Sequence, residues 1–156
     1  MPNWIEGTMK LRGKREDIAR FFREGLEPSN WPKPEDRENQ VVEHGNDEYL
    51  DFSFKNMPYI VGTRRAFITD SSAEMEEDEG IVCVDVKQAW CFTTEGKVDE
   101  WKEISQKYNL DIRLYGIECG MAFTQEAIIV RGKSPIVNEK RYEDWGWECP
   151  FPNMGG

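Results

Sequence analysis

From its first residues the chain alternates. Ile5, Met9 and Leu11 fall on one side, and Glu6, Thr8, Lys10 and Arg12 on the other. That two-residue period predicts a half-buried strand from Trp4 to Arg12, with Trp4 as the large exception on the polar side. Gly13 is read as the end of this strand. Ile18, Phe21 and Phe22 then recur at helical spacing, which predicts a helix over 14–24. Gly25 is read as its left-handed cap, with Leu26 folding back onto Phe21.

The stretch 27–63 reads as an insertion, because the run EPSNWPKPEDREN holds three prolines among polar groups. Within it, 49–54 forms a candidate strand that places Phe52 and Phe54 on one side. Residues 65–69 and 81–86 read as two strands joined by the acidic run DSSAEMEEDEG, a hairpin with a solvated tip. The second of these strands continues through 87–92. Val98, Trp101, Ile104 and Tyr108 define a second helix over 97–108, with Asn109 as a left-handed cap and Leu110 packed back on Ile104. Strands follow over 111–117 and 122–130, separated by the corner Glu118-Cys119-Gly120, where glycine is expected to supply a positive φ. The segment 131–156 reads as an irregular aromatic tail.

In order, these elements make two β-α-β halves with both helices on one face. The sequence therefore predicts a single α+β domain over 1–156, a two-layer ferredoxin-like sandwich with the 27–63 insertion and the tail as additions.

Composition narrows the function classes. Of 156 residues, 30 are acidic and 20 basic, a formal charge of -10 that argues against a nucleic-acid partner. Arg64-Arg65 is the only adjacent arginine pair. No stretch reaches the roughly 18 apolar residues of a membrane span, and the N-terminus shows no apolar signal core, so a cytoplasmic protein with reduced cysteines is expected.

The opening MPNW, the G-T-x-K-L-R-G-K strand and turn, and the block from KQAW through WKEISQKYNLDIRLYGIECGMAF together resemble a known family. The chain is similar to the YubB-type proteins carried by phages, plasmids and integrated elements. The motifs bearing this resemblance are Pro2-Asn3-Trp4, Trp90, Trp101 and the Glu118-x-Gly120 corner with Phe123. It implies a ferredoxin-like domain and a mobile-element origin, and it brings no activity with it.

Candidate chemistry is sparse. Cys83, Cys91, Cys119 and Cys149 contain no CxxC pair and His44 is the only histidine, so no metal site is expected. Cys83, between Val82 and Val84, reads as a small core hydrophobe. A Cys119–His44 pair is a conceivable nucleophile and base, and carboxylate chemistry among Glu6, Asp85 and Glu118 on neighbouring strands is the least excluded enzyme option. Neither GxxxxGK[ST] nor GxGxxG occurs, and no cofactor is expected. The large aromatics outside the helices need covering, and the expectation is that Trp145 and Trp147 pack over the sheet near Trp90. The reading that results is a non-enzymatic module binding an unidentified protein through Trp4, Trp90, Glu118, Trp145 and Trp147. The competing one is a small-molecule or hydrolytic site at Glu118 and Cys119. Self-association as a homodimer is compatible with either.

Overall fold

A computed structural model of the chain describes residues 3–29 and 40–156. Pro2 of the opening motif and most of the proline-rich run lie outside the described residues.

The first strand, β1 (Trp4–Lys14), runs through Gly13 without a break and lies at the centre of the molecule. It pairs antiparallel with β8 (Glu79–Ala89) along its whole length and with β9 (Asp111–Glu118) from Glu6 to Arg12. Outside β9 come β10 (Phe123–Ile129) and the edge strand β11 (Ile136–Arg141). On the other flank β8 pairs with β6 (Ala66–Ile68), which leads to β5 (Tyr59–Ile60) and β2 (Leu26–Glu27). The result is an eight-stranded sheet in the order β11-β10-β9-β1-β8-β6-β5-β2. A separate three-stranded sheet is built from β3 (Val41–Glu43), β4 (Leu50–Phe54) and β7 (Ser72–Met75).

This architecture overturns the two-layer ferredoxin-like sandwich. Strands dominate the described residues, in two sheets rather than one. The three helices there are short: α1 (Arg15–Glu24) and α2 (Asp99–Tyr108) have 10 residues each, and α3 (Trp145–Glu148) has 4. Segments read as additions contribute strands. β11 widens the sheet at one edge, β2 and β5 widen it at the other, and β3 and β4 found the second sheet.

The acidic run is likewise no solvated hairpin tip. Ala73 and Met75 are buried while Ser72 and Glu74 face out, and this alternation lets β7 pair with β4.

One face of the large sheet is the core. Ile5, Met9 and Leu11 join Val82, Val84, Val86, Ile112, Leu114, Ala127 and Ile129 under the helices. Phe21 meets Tyr108 edge-on at 5.4 Å, joining α1 to α2, and Phe22 lies against Phe52 and Phe54, joining α1 to the small sheet. Burying these large side chains contributes about 1.5–3 kcal/mol each. Trp101, fully buried, donates its indole N–H to Gln88 at 3.1 Å, a bond a buried indole requires.

Asn109 closes α2 at φ 56°, as its sequence predicts, and the Leu110 N–H reaches back to Ser105. Gly25 does not adopt the left-handed cap, since its φ is -90°. Its lack of a side chain matters for space instead, because a Cβ there would stand 2.7 Å from the Phe21 carbonyl oxygen.

Candidate functional site

Glu118 ends β9 and is fully buried. Its two carboxylate oxygens accept the backbone N–H groups of Gly120 at 2.8 Å and Met121 at 2.7 Å. Charge-assisted bonds of this kind stabilise a turn, and complete burial leaves the carboxylate no exposed atom to offer a substrate. The positive φ of the corner belongs to Ala122, at 53°, and not to Gly120. A Cβ at Gly120 would stand 2.2 Å from the side-chain amide nitrogen of Asn3, so that side chain would have to shift.

Cys119 is occupied too, its thiol donating to the Gly155 carbonyl. His44 hydrogen-bonds Ser53 at 3.0 Å in the small sheet, so the Cys119–His44 pair is not assembled. Cys83 lies on the open face and is exposed, contrary to its core reading, because it falls on the opposite side of β8 from Val82 and Val84. Among the described residues no group of three or more His, Cys, Asp or Glu side chains is placed to hold a metal ion.

The candidate aromatics separate into three places. Trp4 lies on the open face of the sheet, edge-on to Phe67 at 6.0 Å, with the Lys87 ammonium 4.9 Å and the Arg65 guanidinium 5.4 Å from its ring. Trp90 follows β8 and adopts a left-handed backbone, φ 72°, with 45% of its surface exposed. Its N–H donates to the Asn3 carbonyl, which holds it beside the start of β1.

The expected packing of both tail tryptophans near Trp90 does not occur. Trp145 meets Tyr142 edge-on at 5.5 Å and donates its indole N–H to the Pro152 carbonyl. Trp147 is 85% exposed.

The tail nevertheless returns to the Trp90 end of the sheet. The Tyr142 N–H binds the Ala122 carbonyl, and the Gly156 N–H binds the Trp4 carbonyl. Gly155, at φ 79°, lies in the fork between β1 and β9, where a Cβ would stand 2.3 Å from the Ile117 carbonyl oxygen. Three segments therefore meet at one end of the sheet: the close of β8, the β9–β10 corner and the tail. Trp90, Met121, Phe151 and Met154 are exposed on them.

The rest of the open face mixes charged side chains with the exposed Ile81 and Tyr115. Lys10 stands opposite Cys83 on one side and Arg113 on the other, and Arg113 is paired with Glu126. The Arg113 bonds hold the Glu126 carboxyl below its ordinary range against the opposing effect of burial. Burial pushes the Tyr115 hydroxyl up. At the far end of the face, Asp111 binds Arg12 and Arg131. Burial acts to raise the Asp111 carboxyl, and the Arg131 and Arg12 bonds outweigh it, so it lies below the carboxylate range.

Sequence reasoning missed Tyr59, Phe67 and the role of Arg64-Arg65. The adjacent arginines were the available signal. Phe67 falls in the strand read at 65–69, but Tyr59 comes from the two-residue β5, too short to leave a pattern.

No protein-family model, no curated protein and no solved structure matches this chain. Among the described residues no helix is long and apolar enough to cross a membrane.

Proposed function

We propose that this chain is a non-enzymatic protein-binding module whose contact surface is the Trp90 end of the large sheet. One observation carries the reading: a bulky aromatic held at φ 72° and left nearly half exposed. A left-handed backbone costs a non-glycine residue about 1–2 kcal/mol. Strain of this kind persists where the surroundings impose it, and it collects at sites that engage something outside the chain. Trp147, Phe151 and the Met121 side chain add exposed apolar surface to the neighbouring segments, and tryptophan and methionine are the residue types enriched in protein interfaces. The Trp4 carbonyl anchors the tail by accepting the Gly156 N–H, and Glu118 fixes the corner beside it.

The resemblance at Asn3-Trp4, Trp90, Trp101 and Glu118-x-Gly120 supports a place among the accessory proteins of phages or mobile elements, with a cytoplasmic partner of phage or host origin. A hydrolytic site at Glu118 and Cys119 gains no support from the geometry, because the Glu118 carboxylate is fully buried in its turn, the Cys119 thiol donates to the Gly155 carbonyl, and His44 is engaged with Ser53.

Site-directed photocrosslinking tests the reading. A benzoylphenylalanine at position 90 or 147 is expected to capture one and the same protein in the producing cell. The same residue at position 83, on the open face, is expected to capture none of it. Equal capture at 83, or different products at 90 and 147, refutes the assignment.

A further inference from the structure

The open face carries a second feature, at the flank formed by β2, β5 and β6. A cleft of about 520 Å³ lies there, within the size range of small-molecule sites. One wall is aromatic: the Tyr59 and Phe67 rings lie 5.8 Å apart at 58°, with Trp4 behind Phe67. The Tyr59 hydroxyl donates to the Thr63 carbonyl at 2.6 Å, which fixes that ring before any ligand arrives.

The other wall is the loop Thr63-Arg64-Arg65. Arg64 directs one terminal nitrogen at the carbonyls of Ala89, Cys91 and Thr93, while its buried Nε has no hydrogen-bond partner among the described residues. Arg65 is exposed and makes no ion pair with any described carboxylate. Its backbone sits at φ 55°, which turns the side chain back over Trp4. Among the described lining residues only Glu27 is acidic. In a chain of net charge -10, two adjacent guanidiniums without ion-pair partners among the described residues, beside a pair of tilted aromatic rings, form a local exception.

We propose that this cleft binds a free nucleoside monophosphate, its base against Phe67 and Tyr59 and its phosphate on Arg64 and Arg65. A base stacked on an aromatic side chain gains about 1–3 kcal/mol, and the guanidinium fork matches phosphate oxygens in geometry as well as charge. The acidic remainder of the protein selects a small anion over a strand. It repels a polyanion at long range, while a single phosphate is met locally by the arginine pair.

Equilibrium dialysis with radiolabelled AMP, GMP, CMP and UMP tests this on the full chain. The expected result is saturable one-to-one binding of at least one of them, with adenosine and inorganic phosphate each at least about tenfold weaker than AMP, a difference of about 1.4 kcal/mol. Arg65→Gln and Phe67→Leu are each expected to weaken binding by about tenfold. Unchanged thermal midpoints in both variants would place that loss in the site. If either variant fails to fold, Arg64→Lys and Tyr59→Leu replace it. No saturable binding of any of the four overturns the proposal. So does affinity indifferent to these substitutions, or binding of an oligothymidylate without binding of mononucleotides.

Discussion

Glu118→Ala tests whether this carboxylate is structural. Both oxygens accept backbone N–H groups, at 2.8 and 2.7 Å, and the side chain is fully buried. Hydrogen bonds to a charged group contribute roughly 1.5–3 kcal/mol each. Gly120 and Met121 are themselves exposed, so water recovers part of what their N–H groups lose. The expected net loss is about 2–4 kcal/mol, a thermal midpoint lower by roughly 5–15 °C for a chain of this length. Glu118→Gln keeps one acceptor oxygen and turns an amide donor toward the other N–H, so it is expected to lose about half as much or more. Urea unfolding followed by tryptophan fluorescence gives both numbers, with an unchanged slope showing that the native state keeps its compactness. A stability change within about 0.5 kcal/mol in Glu118→Ala would refute the reasoning. The carboxylate would then be held for another purpose.

Three further outcomes follow from the same contacts. Trp90→Gly and Trp90→Ala both delete the ring, but only glycine relieves the left-handed backbone, so the glycine variant is expected to be more stable by about 0.5–1 kcal/mol in urea. Equal stabilities would show that Trp90 is not strained. Gly155→Ala places a methyl against the Ile117 carbonyl and should undock the tail. The Cys149 thiol, buried in the native chain, is then expected to react with a thiol reagent at least about tenfold faster, read by peptide mapping. An unchanged rate would show that the Gly155 contact does not hold the tail. Asp111 titrates below its unfolded value near about 4. The stability it contributes is therefore complete above that pH and is lost as the pH falls through the folded value. Asp111→Asn is expected to be less stable at pH 7 and to lose less than the native chain as the pH falls below about 4. Parallel acid unfolding curves for the two would remove Asp111 from the account.

The alternation of Ile5, Met9 and Leu11 was sufficient to place β1, and the spacing of Val98, Trp101, Ile104 and Tyr108 to place α2. In both elements burial on one face leaves a period that is local to the sequence. Asn109 was legible for the same reason, since a left-handed cap is a property of one residue and its neighbours. The second sheet was not legible. Ala73 and Met75 are too few to announce a strand inside an acidic run, and β7 exists because β4, some twenty residues earlier, offers it an edge. The corner at Glu118 was recognised, but what its carboxylate does depends on two N–H groups whose direction only the folded turn sets. The Tyr59–Phe67 wall depends on β5, which at two residues is too short to leave a period in the sequence, and on its pairing with β6. Local pattern determines which face of an element is buried; which distant segments share an edge, and so which side chains meet, is decided only when the sheet closes.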